Sequence, residues 1–283
     1  MFDEASHLPE KRTPPESPPL EAAAIAIVPA DSILSFLPQP SAPDISRAWT
    51  FFDLLLIFAA AVFVVLLPGA LYARLADSLV NEESNEALDW VITMISGVFV
   101  FSSLYLTAIT LGWLRKRTWS DFGYRMSTLP WLAIGVGLGV LFIPVRMALV
   151  FMVAIFIDSS ILEESSSQNL LENTDFSLIG VIAATVVVVF LAPLVEELFF
   201  RGILYGWLRK RFGIIIGVIV SGLLFGIAHI EPAMIIANSV MGFMLALSYE
   251  YSKSLFVPMT IHFVNNFIVS VLVGLALIVT WLS

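Results

Sequence analysis

One apolar stretch of the chain carries the run Glu196-Glu197-Leu198-Phe199-Phe200-Arg201. Two later apolar stretches carry His229, within Phe225-Gly226-Ile227-Ala228-His229, and His262 with Asn266. A lone charge at the centre of a bilayer costs roughly 2.5–3.5 kcal/mol on insertion scales. Ionisable groups in such stretches therefore need either mutual pairing or a chemical use. Two carboxylates, a guanidinium, two imidazoles and a carboxamide suit one task well. Carboxylate and imidazole can activate a water while N–H donors face a polarised carbonyl.

Helical spacing sorts these residues into roles. Glu197 and Arg201 are four apart with the acid first, the favourable order for an ion pair on one helix face. Glu196 is rotated by about 100° from Glu197 and is the better candidate for an uncommitted carboxylate acting as a general base. From these residues alone, a purely structural ion cluster is an equal reading. His229 shares a face with Phe225, and His262 shares one with Asn266. A lone intramembrane histidine is more often an interhelical hydrogen-bond donor than a catalyst. His262 and Asn266 read either as a polar clamp or as paired donors for an oxyanion. Asn265 lies one position off that face and is the weaker candidate. Arg146, after Pro144, reads as a snorkelling or packing residue, Asn238 as a packing donor, and His7 as a solvated histidine.

The elements that must position these groups follow from hydropathy. The chain has 283 residues and a mean hydropathy of +0.93. Its 13% of charged residues is about half the usual share of a soluble domain. Apolar spans are predicted at 50–75, 89–113, 129–157, 178–208, 213–230, 233–250 and 255–282. The expected fold is all-α: a polytopic transmembrane helix bundle of seven or eight spans with a buried polar cavity. Residues 1–46 hold nine of the fifteen prolines and seven acidic residues, and are expected to form a disordered acidic arm. Residues 47–283 form the membrane-embedded domain. The loops alternate in sign. Asp77–Asp89 and Ser159–Asp175 are acidic, while Arg115-Lys116-Arg117 and Arg209-Lys210-Arg211 are basic. This alternation predicts a cytoplasmic N-terminus in a multi-pass cell-membrane protein. Thr118–Met126 is polar and aromatic, as expected of a segment at the membrane interface or one that touches substrate. The glycines early in the third span, and Gly213, Gly217, Gly222 and Gly226, suit close helix contact.

Several chemistries are excluded. The chain has no cysteine, hence no disulfide, thiolate metal site or cysteine nucleophile. It has no His-Glu-x-x-His zinc pair, no Gly-x-Ser-x-Gly elbow, and no pair of aspartates within the motif-bearing stretches. No basic patch with interleaved aromatics points to nucleic acid. Two non-hydrolytic classes remain as alternatives: a membrane scaffold or immunity protein that binds a peptide, and a proton-coupled transporter using buried Glu and His.

Taken in order, Glu-Glu-x-x-x-Arg, Phe-x-x-x-His and His-x-x-x-Asn on successive apolar segments resemble the CPBP family of CAAX proteases and bacteriocin-processing enzymes, over about residues 115–270. The resemblance implies an intramembrane endopeptidase acting on a peptide or protein substrate in the bilayer. It implies Glu196 as general base with His229 holding the water, His262 and Asn266 as oxyanion hole, and Glu197 with Arg201 as the supporting pair. Such proteins have been described both as glutamate proteases and as metalloproteases. A zinc ion would fall to Glu196, His229 and His262. The metal-free reading is favoured, because Asn266 is a poor zinc ligand and an apt donor.

Overall fold

The computed structural model describes residues 49–60, 63, 86–156, 185–229 and 232–282. The acidic arm, the loop Ser159–Asp175, most of the loop Asp77–Asp89, and parts of the first, third, fourth and fifth expected spans lie outside these residues. No strand occurs among the described residues, which are helical almost throughout. The helices are α1 (Phe51–Ala60), α2 (Glu86–Leu114) and α3 (Leu129–Phe156), then a helical stretch Val187–Ile227, and two more at Pro232–Ser252 and Phe256–Leu282. Three are long and apolar enough to cross a membrane: Leu129–Phe156, Val187–Ile227 and Phe256–Leu275.

Val187–Ile227 is not one rod. Gly213 has φ 82° and ψ 179°, a conformation open to glycine and strained for L side chains. On a straight helix Phe200 and Phe225 would stand about 37 Å apart, yet their ring centroids are 5.1 Å apart. A Cβ on Gly217 would lie 3.3 Å from the backbone nitrogen of Arg209. The chain therefore reverses at Gly213 into two antiparallel limbs, α4 (187–212) and α5 (214–227). Pro232–Ser252 is then α6 and Phe256–Leu282 is α7. The gap between the fourth and fifth expected spans falls at this reversal.

Small residues let the backbones close in. A Cβ on Gly242 of α6 would meet Gly222 Cα of α5 at 2.7 Å, so the two helices cross glycine on glycine. A Cβ on Gly139 of α3 would meet the carbonyl of Ile261 on α7 at 2.8 Å. Without a hydrophobic force between helices in lipid, such close approach maximises dispersion contact. α6 thus packs on α5 and α7 on α3, while α4 packs against both α5 and α7; the polar residues sit on α4, on α7 and just past α5.

One end of the bundle is built by the N-terminus of α1, the loop between α2 and α3, and the ends of α4 and α6. Thr50 and Asp53 cap α1 reciprocally: Thr50 N and Oγ1 donate to Asp53 Oδ2 at 2.9 and 2.8 Å, and Asp53 N donates back to Thr50 Oγ1 at 3.2 Å. Arg115, just past α2, pairs with Asp53 Oδ1 at 2.8 Å. Thr118–Met126 folds as a short 3-10 turn (Trp119–Phe122) closed by Gly123 at φ 93°. Phe122 is buried, and a Cβ on Gly202 of α4 would meet its carbonyl at 2.5 Å. Phe122 and Gly123 are thus part of the packed core at that end, while Trp119 and Met126 stay exposed. Burial, with the Tyr105 hydroxyl 3.3 Å away, pushes the Tyr124 phenol above its ordinary range. Glu250, near the end of α6, ties the same end together. It accepts from Tyr205 Oη at 2.8 Å, from Arg209 at 2.6 Å through two nitrogens, and from Lys253 at 2.6 Å.

Candidate active site

Glu197 is fully buried on α4. Its Oε1 accepts from Arg201 Nη1 at 3.0 Å, the pair expected from their spacing. The same oxygen meets Nδ1 of His262, on α7, at 2.9 Å. A carboxylate cannot donate, so Nδ1 carries the proton in this contact. Arg201 is also buried. Its Nη2 donates to the Gly242 carbonyl at 3.2 Å, and its guanidinium lies 4.4 Å from the Phe225 ring centroid. Three helices besides α4 thus converge on one ion pair, where the ring face and the carbonyl offset part of the guanidinium's lost hydration.

Glu196 stands apart from that pair. Its Oε2 lies 3.8 Å from His262 Nε2, and the side chain keeps 19% exposure. Oε2 itself is buried and has no hydrogen-bond partner among the described residues. The local helix widens directly after this glutamate pair into a π-helical stretch, Leu198–Tyr205, a distortion often found at functional sites.

His229, just past α5, turns Nδ1 to the Phe225 carbonyl at 2.8 Å. Its ring is 5.0 Å from that of Phe225, and His262 approaches the same ring at 5.6 Å. Phe225 is fully buried and is the hub on which Arg201, His229 and His262 gather. Its shared face with His229 was legible from the spacing, whereas its contact with the other two was not.

Asn266 is half-buried, and its amide donates to the Val188 carbonyl on α4 at 2.9 Å. The adjacent Asn265 is the more buried of the two. Its Oδ1 accepts from Arg146 Nη1 at 3.4 Å, while its Nδ2 has no partner among the described residues. Arg146 also reaches the Met234 sulfur at 3.0 Å, so it bridges α3, α6 and α7 from inside the apolar span. Of the residues singled out from sequence, Glu196, Glu197, Arg201 and His262 form one polar cluster. His229 joins it through Phe225, and Asn266 reaches α4 one helical turn beyond His262.

Among the described residues, no group of three or more His, Asp or Glu side chains is arranged to hold a metal ion. Glu197 already engages one nitrogen of His262, and a backbone carbonyl engages one nitrogen of His229. Both contacts use Nδ1, so Nε2 of each ring is left uncommitted, and a hydrogen bond at Nδ1 is also how a zinc-bound imidazole is oriented.

The geometry can be set beside known proteins. Residues 178–268 match the family model described as Type II CAAX prenyl endopeptidase Rce1-like. The resemblance read from the three motifs holds over the segment that carries all of them, a shorter stretch than 115–270. The chain is 29% identical over 99 residues to YdiL of Bacillus subtilis (strain 168), named as a candidate membrane peptidase, covering 34% of this chain and 40% of that protein. It is 34% identical over 82 residues to the membrane-embedded CAAX protease MroQ of Staphylococcus aureus (strain USA300), covering 27% and 33%. The chain thus matches less than half the length of either relative. No solved structure matches it.

Proposed function

We propose that this chain is a multi-pass intramembrane endopeptidase of the Rce1-like type, with seven or eight crossings, that hydrolyses a peptide bond through a glutamate-activated water. The carrying observation is Glu196. Its unpartnered carboxylate oxygen faces His262 Nε2 at 3.8 Å, beside a second glutamate already neutralised by Arg201. A water between these groups would give one proton to Glu196 as its oxygen bonds to the carbonyl carbon. His229 helps to hold that water. The carbonyl π electrons move to oxygen, and this oxyanion takes a hydrogen bond from the second N–H of the Asn266 amide and, when the ring is an imidazolium with a proton on each nitrogen, from Nε2–H of His262. Glu196 then passes its proton to the leaving nitrogen as the C–N bond breaks. Glu197 holds His262 by Nδ1 and sets which nitrogen faces the substrate. This route uses no metal ion; in the zinc alternative the ion would fall to Glu196, His229 and His262.

The same reading puts the end bearing Arg115–Arg117 and Arg209–Arg211 in the cytoplasm, and the N-terminus with it. The test is cleavage of a quenched-fluorophore peptide library by the purified protein in detergent. Cleavage without a gradient, insensitive to a zinc chelator, is the expected result. Chelator-abolished cleavage would replace the metal-free route with a metal route. A protein that never cleaves in detergent would instead fit a scaffold or a transporter.

A further inference from the structure

Eight of the chain's 14 basic residues gather at one end of the bundle: Arg115, Lys116, Arg117, Arg125, Arg209, Lys210, Arg211 and Lys253. Against them the described residues at that end set three acids, Asp53, Asp121 and Glu250. Among the described residues the local surplus is positive, in a chain whose formal charge is −9. Two of the guanidinia are held in place by aromatic rings. Arg117 lies 5.1 Å from the Trp49 ring centroid, and Arg211 lies 4.6 Å from that of Trp207. Phe51 packs on Trp207 with centroids 6.2 Å apart, so the two stacked arginines flank the first turn of α1. Stacking removes side-chain freedom before any ligand arrives, and a preset guanidinium fork matches phosphate oxygens.

The surroundings select the source of the phosphate. Phe51, Phe52, Trp113, Trp119 and Phe212 are each more than half exposed around this end. Aromatic rings of this kind favour the headgroup level of a bilayer. A free phosphate would leave them uncovered, whereas a lipid supplies an anionic head for the arginines and acyl chain for the rings.

We propose that this end of the bundle binds the headgroup of an anionic phospholipid between Arg117 and Arg211, astride the start of α1. The inference does not depend on the protease reading. The test titrates the full-length protein in detergent with phosphatidylglycerol or phosphatidylcholine. It reads the thermal midpoint, with retained lipid measured by native mass spectrometry. Phosphatidylglycerol should raise the midpoint more and be retained in preference. The double variant R117K/R211K keeps the charge but loses the stacked fork, and should lose that preference. Equal protection by the two lipids, protection by inorganic phosphate that matches the lipid, or an unchanged preference in R117K/R211K would each overturn the proposal. Should that variant fail to fold, the wild-type protein still decides. Its preference should disappear as salt rises from about 0.1 M to about 1 M, where the screening length falls from about 10 Å to about 3 Å, and a salt-independent preference would count against the site.

Discussion

Glu197 accepts a hydrogen bond from His262 through the same oxygen, Oε1, that pairs with Arg201, at 2.9 and 3.0 Å. One buried atom therefore fixes both the charge balance of the cluster and the orientation of the imidazole. Removing it strands a buried guanidinium, and breaking a buried pair from one side costs about 3–5 kcal/mol. Glu197→Ala should lower the thermal midpoint markedly and abolish peptide cleavage. Glu197→Gln keeps an acceptor oxygen and the volume. It should recover only part of the stability, because its neutral amide no longer balances Arg201, and little of the cleavage. Normal stability in Glu197→Ala would show that the pair carries no weight.

Glu196 makes no such structural bond, so its loss should separate chemistry from folding. Glu196→Gln is nearly isosteric and removes the proton acceptor. General-base catalysis is typically worth about 10²–10⁴-fold, so kcat should fall by that order with the thermal midpoint unchanged. His229→Ala should behave similarly, since it gives up one contact to a backbone carbonyl at the end of α5. Turnover like wild type in Glu196→Gln would rule out its role as base.

The sequence made some of this cluster readable and concealed the rest for identifiable reasons. Glu197 with Arg201, and Phe225 with His229, are four apart on single helices, so local periodicity brings each pair together. The start of the third span at Leu129 and the limits of the sixth and seventh, within two residues, were legible because apolar runs end at charges, glycine or proline. The contact of His262 with Glu197 depends on how α7 packs against α4, across 65 positions, and no local pattern encodes it. Asn265 and Asn266 differ by one step of helix rotation. Spacing from His262 pointed to Asn266, while packing buries Asn265 against Arg146. Glu250 was passed over as the end of an apolar helix. Tyr205 and Arg209, four apart near the end of α4, were the available signal that two donors there share one acceptor.

The glycine crossing of α5 and α6 makes a prediction with its own control. A side chain on Gly242 would collide with Gly222 backbone at 2.7–2.8 Å, and neither backbone can yield without separating the helices. Gly242→Val should cost about 1–3 kcal/mol, the range for overpacking. It should also reduce cleavage, because the Gly242 carbonyl holds Arg201 at 3.2 Å. Gly137→Ala and Gly274→Ala, where an added Cβ meets nothing within 4 Å, should leave both properties unchanged. Thermal scans of the three variants in one detergent, with cleavage assays beside them, decide the matter.

Glu250 supplies the complementary case, an ionic node that holds helices without touching the cluster at Glu196. It gathers Tyr205, Arg209 and Lys253 at 2.6–2.8 Å. Glu250→Gln keeps the shape but replaces a charged acceptor of two cations by a neutral one. Hydrogen bonds to charged groups contribute about 1.5–3 kcal/mol each, and Arg209 and Lys253 are partly exposed, with 26% and 21% of their side chains accessible. Solvent screening therefore places the net loss at the low end of that range. The variant should melt earlier, and the deficit against wild type should shrink at high salt. Below its melting temperature it should cleave at the wild-type rate. A loss of cleavage in folded Glu250→Gln would mean that this end of the bundle is mechanically tied to Glu196, and the separation of scaffold from chemistry argued here would fail.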